Sequence, residues 1–230
     1  MDLHRNIQHV NRLINEALQK SVNPERSVKL IAVTNTVPTE LIRKAAESGL
    51  TDFGENKVQE LVSKYQELDS HIQWHMIGHL QRNKVKYIVD KVSLIHSLDS
   101  YSLAKEIEKR ASASNQIIDC LIQVNVSGEK SKYGIDSTKT MELIQNLEPF
   151  KHIKIKGLMT MAPLTANQAV ARDCFKKLYE LQQEVIQRNY AEIDMEYLSM
   201  GMSNDFQAAI EEGSNMIRIG SAIFGERDYD

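Results

Sequence analysis

The sequence has little of what marks a membrane, disulfide or metal protein. It holds two cysteines, four prolines and one tryptophan in 230 residues. Cys120 and Cys174 stand far apart in apolar segments, so we expect buried, reduced thiols rather than a metal or redox pair. No apolar run approaches the ~18 residues of a spanning helix, and the N-terminus lacks the basic-then-apolar order of a signal peptide. We therefore expect a cytoplasmic protein without a membrane partner.

The sequence also lacks a large excess of charge of either sign. Twenty-eight basic residues face 31 acidic ones, giving a net charge of −3. No basic stripe is interleaved with aromatic residues, so we expect no nucleic-acid partner. The hydrophobic content of 42% and charged content of 26% are ordinary for globular proteins, and the length suits one large core or two smaller ones.

Alternating strand-like and helix-like runs decide between these possibilities. After an amphipathic helix over 3–18, eight apolar runs alternate with segments of helical spacing. The predicted strands are 28–34, 50–54, 73–78, 93–98, 117–126, 153–161, 195–201 and 215–220, and the predicted helices between or after them are 38–48, 55–68, 80–90, 100–113, 137–148, 166–189 and 204–212. This pattern predicts a single domain over residues 1–230, a (β/α)8 barrel with an extra N-terminal helix. The alternative is an open doubly wound sheet, but no glycine-rich dinucleotide turn follows the first strand.

Two segments near the C-terminus have the composition of a phosphate site. In LSMGMSND, 198–205, Gly201 permits close approach of the backbone and Ser203 is expected to be the N-cap of the following helix. In IRIGSAIFG, 217–225, Gly220 and Ser221 end the eighth strand. The loops after strands seven and eight are the usual phosphate site of this fold, so we predict an anion site here. The alternative is a pair of tight turns and a helix cap.

Arg218 lies inside the predicted eighth strand. Side chains alternate along a strand, so Arg218 should point opposite to Ile217 and Ile219, into the barrel. A buried guanidinium needs a partner. A ligand acceptor is one candidate, and the carboxylate of Asp205 or Glu226 is the other.

The remaining polar residues do not point to catalysis. His75 and His79 are four residues apart, but His75 belongs to a strand and no HExxH pattern occurs, so we expect no metal site and a hydrogen-bonded core role for His75. The serines lack the context of a nucleophile elbow. Glu55 and Asp99 show no paired pattern. We therefore assign no catalytic residue.

Several motifs together resemble those of the pyridoxal phosphate homeostasis proteins. That family is similar to the barrel half of alanine racemases and lacks their second domain. The resemblance spans nearly the whole chain and rests on DFGENKVQE (52–60), WHMIGHLQRNK (74–84), KGLMTM (156–161), LSMGMSNDFQAAIEEGS (198–214) and IRIGSAIFGER (217–227).

The resemblance implies a barrel that holds pyridoxal 5′-phosphate (PLP). It places the phosphate on Ser203, Gly220 and Ser221, and Arg218 against the pyridine nitrogen. It also implies that Asn56 and His79 line the same mouth. The family handles vitamin B6 and amino-acid levels without a firmly established catalytic activity.

One position departs from the family pattern. The first strand of the family ends in AV(S/T)K, whose lysine forms a Schiff base with the cofactor, whereas this chain reads AVTN with Asn35. An amide nitrogen is delocalised into its carbonyl and is not a nucleophile. Among other lysines, Lys57, Lys84 and Lys156 are badly placed, and Lys130 and Lys132 would need a loop rearrangement. We therefore expect weak, non-covalent PLP binding with Asn35 in the cofactor mouth, whether Asn35 arose by divergence or by deliberate replacement.

Three kinds of function are compatible with these observations. The first is a non-enzymatic protein that handles PLP, which the resemblance favours. The second is a racemase-like or phosphosugar-processing barrel enzyme, although racemisation needs the covalent link that Asn35 removes. The third is a scaffold whose phosphate loops hold an inorganic anion or another phosphate ester.

Overall fold

Eight parallel strands close into a barrel in the computed structural model, as the sequence predicts. The structure describes residues 2–129, 132–163, 165, 167–190 and 193–226. The strands of the barrel are β1 (Lys29–Val33), β2 (Asp52–Glu55), β3 (Gln73–Met76), β4 (Leu94–Leu98), β5 (Ile118–Asn125), β7 (Ile153–Met159), β8 (Ile193–Ser199) and β9 (Met216–Ile219). A two-residue strand, β6 (Ile135–Asp136), pairs with the end of β5 and was not predicted.

Strand pairing follows chain order around the barrel. Each strand pairs with the next, and the first and last strands pair in parallel, with Ile31 opposite Arg218. Parallel neighbours bring every carboxyl end to the same rim. The loops after the strands therefore meet at one mouth.

Helices cover the outside of the barrel. They are α1 (Leu3–Leu18), α2 (Thr39–Glu47), α3 (Val58–Glu67), α4 (Tyr101–Ala113), α5 (Thr140–Leu147), α6 (Gln168–Arg188), α7 (Phe206–Glu211) and α8 (Ser221–Phe224). Two predicted α-helices differ from the structure: 80–90 contains a 3-10 helix over Arg82–Tyr87, and 137–148 opens with a 3-10 turn over Ser137–Lys139. None of the helices described is both long and apolar enough to cross a membrane.

Apolar packing occurs on both sides of the strands. The larger cluster lies between sheet and helices and includes Phe53, Trp74 and Phe175. A smaller interior cluster consists of Ile31, Leu94, Leu121, Met159 and Met216. Both cysteines are buried free thiols, as predicted. Buried polar side chains lie beside these clusters, among them His75, His96, Ser199 and Arg218.

Candidate functional site

A cavity of about 550 Å³ opens at the carboxyl ends of the strands. Most of the residues predicted for the cofactor site line it together: Asn35, Asn56, Ser203, Arg218, Gly220 and Ser221. Met161, Ala162, Pro163 and Met202 add an apolar wall. The cavity therefore combines polar groups with an apolar surface suited to a flat ring.

Ser203 joins the seventh and eighth loops. Its Oγ accepts hydrogen bonds from the backbone N–H of Gly220, at 3.3 Å, and of Ala222, at 3.4 Å. The prediction that Ser203 caps the next helix was wrong, because α7 begins at Phe206 and Asp205 occupies the N-cap position. The Asp205 carboxylate instead accepts from Met202 N–H at 2.6 Å and thereby shapes this loop. The hydroxyl and the amides at Gly220 and Ala222 meet at one point.

Gly201 allows the seventh loop to turn tightly onto α7. Its φ is +91°, a conformation that side chains disfavour. A Cβ there would lie 2.6 Å from Ala209 Cβ and 2.9 Å from Phe206 Cα. Only glycine therefore lets the chain carry Ser203 to the cavity along this path.

The guanidinium of Arg218 is buried in the barrel, as strand alternation predicts. Its NH1 donates to Ser199 Oγ at 2.5 Å, and its NH2 donates to the Thr160 carbonyl at 2.8 Å. Burial lowers the pKa of Arg218 to about 10, against the opposing charge of Asp205, so the group stays cationic at neutral pH. Asp205 thus acts through its charge, while the hydrogen-bonding partners are neutral. Two of five N–H donors are used by these bonds.

A line of polar side chains runs below Arg218. His96 Nδ1 lies 3.1 Å from Ser199 Oγ, and its Nε2 lies 3.0 Å from His75 Nδ1. His75 Nε2 lies 3.0 Å from Asp52 Oδ1. His75 is therefore a hydrogen-bonded core residue, as predicted. The link to His96 was missed, although both histidines follow apolar residues in neighbouring strands and alternation would direct them inward.

Asn35 lies at the rim directly beyond β1 and is 7% exposed. The next residue, Thr36, has a left-handed φ of 62°, which is uncommon for a β-branched side chain. Its N–H donates to Glu60 Oε2 at 2.8 Å, which holds this turn against α3. The backbone around Asn35 is thus fixed from the helix side.

Asn56 reaches the cavity from the loop after β2. Gly78, in the loop after β3, packs directly against it. A Cβ at Gly78 would lie 2.3 Å from the carbonyl oxygen of Asn56. Glycine at 78 therefore lets the two loops approach closely enough to keep Asn56 in place.

Lys64 lies behind the end of β1, a position that the sequence pattern does not predict. Its Nζ donates to the Thr34 carbonyl and to Glu55 Oε1, both at 2.7 Å, and lies 3.5 Å from Glu60 Oε2. Three acceptors match the three N–H donors of an ammonium. Burial raises the pKa of Glu55, although Lys64 opposes that shift. Lys64 is therefore held as an ion-pair partner.

Three of the other lysines named from the sequence are paired with carboxylates. Lys57 lies 3.7 Å from Glu60, and Lys156 pairs with Asp194 at 2.6 Å. Lys132 pairs with Glu129 at 3.3 Å. Lys130 is outside the described residues. Among the described residues that line the cavity, none is a lysine.

His79 does not line the cavity. It faces a neighbouring groove beside Arg82, Asp99 and Lys105. Its ring stacks on Tyr133 with centroids 4.2 Å apart, and its Nδ1 lies 3.7 Å from Asp99 Oδ2. A role for His79 in cofactor binding stays a prediction that the lining of the cavity does not support.

Comparison with known proteins points to one family. Residues 5–228 match the model of the alanine racemase N-terminal domain. The pyridoxal phosphate homeostasis protein of Aquifex aeolicus is 44% identical over 230 residues and covers 100% of both chains. The human protein of that name is 35% identical, over 95% of this chain and 86% of its own.

Solved structures agree in fold. The PipY protein of Synechococcus elongatus with PLP bound has a TM-score of 0.80 at 32% identity, covering 92% of this chain and 100% of that one. A protein from Bifidobacterium adolescentis described as unknown has a TM-score of 0.92 at 31% identity, covering 96% of this chain and 94% of that one.

Proposed function

Because this chain belongs to the pyridoxal phosphate homeostasis family, we propose that its cavity binds PLP and that the protein serves intracellular vitamin B6 and amino-acid homeostasis. The observation that carries the proposal is the meeting of Ser203, the amides of the eighth loop and Arg218 in one cavity. We also propose that residues 1–230 act as one domain.

The chemistry of these groups fits a phosphorylated pyridine. Hydroxyl and amide groups at Ser203, Gly220 and Ser221 suit a phosphate dianion, which accepts hydrogen bonds. Arg218 has donors beyond those it gives to Ser199 and Thr160, and they suit a ring nitrogen that accepts. The apolar wall of Met161, Ala162, Pro163 and Met202 suits the face of the ring.

The mode of binding we propose is non-covalent. The position where the family carries its lysine is Asn35, and an amide does not attack an aldehyde. The PLP aldehyde supplies an electron sink for amine substrates only when it is linked to an amine. In this chain Asn35 and Asn56 would instead offer hydrogen bonds to the polar edge of the ring.

The affinity follows from the contacts that remain. Hydrogen bonds to a charged group contribute about 1.5–3 kcal/mol each. Three of them to a phosphate, less the entropy of immobilising a small ligand, give a dissociation constant roughly between micromolar and millimolar. This is weaker than a covalent anchor and suits reversible handling of the cofactor.

We propose no enzymatic reaction for the chain. A racemase-like reaction needs a covalent link and an acid–base pair across the ring. Among the residues that the structure describes, the ionisable ones lining the cavity are Asp205, Arg218 and Glu226. Arg218 is held by Ser199 and Thr160, and the Asp205 carboxylate is held by the backbone N–H of Met202. The site is therefore better suited to holding a ligand than to moving its protons.

Titration with PLP followed by absorbance tests the proposal. We expect measurable saturation by millimolar concentrations, the spectrum of the free aldehyde, and loss of affinity in Ser203→Ala and Arg218→Ala. His4→Ala, a change on the outer face of α1, serves as a control that should bind as the wild type does. Absence of saturation up to millimolar PLP would contradict the proposal.

A further inference from the structure

A chain of buried hydrogen bonds crosses the barrel from its amino end to the cavity. It starts at Lys29, the first residue of β1, whose Nζ lies 3.1 Å from Asp52 Oδ1. It continues through His75, His96 and Ser199 at steps of 3.0, 3.0 and 3.1 Å, and ends at Arg218 NH1, 2.5 Å from Ser199 Oγ. Both histidines and Ser199 are 3% exposed or less.

Asp52, near the amino end of this series of hydrogen bonds, determines which atom donates in each bond. Burial favours a higher pKa for Asp52, but hydrogen bonds from His75 and Thr51 and the nearby positive charge outweigh it and bring the pKa well below its usual range. An ionised carboxylate accepts hydrogen bonds only. His75 must therefore carry its proton on Nε2 and donate it to Asp52.

Each following bond is then determined. Burial lowers the pKa of His75 and of His96, so both rings are neutral, and Nδ1 of His75 is an acceptor. His96 donates to it from Nε2, which leaves Nδ1 of His96 as an acceptor for the hydroxyl hydrogen of Ser199. The lone pairs of Ser199 are consequently turned toward Arg218, which donates. The bonds all run one way, from Arg218 to Asp52.

We propose that His96 is a positioning residue for Arg218, acting through Ser199. With its hydrogen committed to His96, the Ser199 hydroxyl serves as a fixed acceptor for NH1, while the Thr160 carbonyl fixes NH2. The guanidinium is thus held in one orientation and keeps its remaining donors for the cavity.

With its free donors directed into the cavity, Arg218 should favour a ligand whose facing atom accepts a hydrogen bond. The inference rests on the proposed function, since it concerns the atom of a bound aromatic phosphate that meets Arg218. A pyridine nitrogen without a proton accepts from the guanidinium, whereas a C–H at the same ring position does not. Discrimination between two such rings should therefore depend on His96. Binding of the phosphate by the seventh and eighth loops should not depend on His96.

Two variants at His96 distinguish a lost orientation of Arg218 from a general loss of structure. His96→Gln retains an acceptor oxygen for Ser199 and a donor nitrogen for His75, so it can preserve the direction of the chain. His96→Leu keeps bulk but offers neither. Ser199→Ala breaks the same chain at its next member and provides the test should His96→Leu fail to fold.

The measurement is the ratio of dissociation constants for benzyl phosphate, which has no ring nitrogen, and PLP. We expect PLP to bind the wild type more tightly, the ratio to fall about five- to tenfold in His96→Leu and Ser199→Ala, and His96→Gln to retain it. Affinity for benzyl phosphate should change less than about twofold in these variants.

Three outcomes would overturn the inference while leaving the proposed function intact. They are an unchanged ratio in both His96→Leu and Ser199→Ala, equal weakening of both ligands, and failure of His96→Gln to retain the ratio. Failure of the wild type to saturate with either ligand would instead overturn the proposed function together with the inference.

Discussion

The Lys64 ammonium lies 2.7 Å from the carbonyl oxygen of Thr34, the residue directly before Asn35. An amine is therefore present behind the strand end where the family resemblance implies a lysine, but it is bound to Glu55 and to the backbone. The Glu55 side chain is fully buried and that of Lys64 is 10% exposed. The pair stabilises the first loop without supplying a nucleophile.

Lys64→Met should destabilise the protein strongly, because it leaves the Glu55 carboxyl without its ion partner in the interior. Breaking a buried pair costs about 3–5 kcal/mol. Urea denaturation measures this free energy of unfolding. The double variant with Glu55→Gln should recover part of the loss, and a change below about 1 kcal/mol in Lys64→Met would contradict the role assigned to the pair.

Ser203→Ala should weaken binding of phosphorylated ligands selectively. The hydroxyl is tied to the amides of the eighth loop, so its removal takes away one donor and loosens the others. We expect about a tenfold loss of affinity for PLP, corresponding to about 1.4 kcal/mol. Isothermal titration with pyridoxal, which has no phosphate, is the control, and equal losses for both ligands would contradict a phosphate role.

His79→Ala should leave PLP affinity within about twofold of the wild type. His79 stacks on Tyr133 in the neighbouring groove and does not line the cavity. The same titration used for Ser203→Ala measures the effect. A tenfold loss would restore the role that the family resemblance implies for His79 and would show that the groove and the cavity act together.

The neutral histidines should make stability depend on pH. Burial depresses the folded-state pKa of His96, while the unfolded value is about 6.5. The unfolded state therefore binds more protons below this pH, so the stability contribution is complete above pH 6.5 and is lost as the pH falls toward the folded pKa. Each such histidine contributes a slope of up to about 1.4 kcal/mol per pH unit.

His96→Gln isolates this contribution. Glutamine does not titrate, while His75, Asp52, Lys29 and Arg218 remain in place around it. The free energy of unfolding, measured in urea between pH 7 and pH 5, should fall less steeply in the variant. An equal slope in both proteins would mean that His96 takes up its proton over the same pH range in the folded and unfolded states, which contradicts a lowered folded-state pKa.

Periodicity was enough to predict the barrel and much of its mouth. Alternation of apolar runs predicted all eight barrel strands, and parallel strands bring loop residues as distant as Asn35, Asn56 and Ser203 to one rim. Arg218 was predicted to point inward because a strand has a period of two. These inferences hold because they depend on backbone geometry.

Contacts between distant side chains could not be predicted in the same way. Ser203 was assigned to a helix cap from its position before a helical run, but its hydroxyl bonds to the amides of a different loop. The hydrogen-bonding partners of Arg218 are Ser199 and a backbone carbonyl. The rule that a buried charge needs a partner predicts a ligand acceptor or a carboxylate instead. Ser203 and Gly220 are 17 residues apart in sequence. Local sequence patterns do not tell how close two such loops lie in space.

The most direct test of non-covalent binding is borohydride reduction in the presence of stoichiometric PLP, followed by mass spectrometry of the intact chain and its peptides. The account predicts no stoichiometric adduct on the wild type and a single adduct at position 35 in Asn35→Lys, with both proteins retaining saturable PLP binding. A stoichiometric adduct on any lysine of the wild type would contradict it.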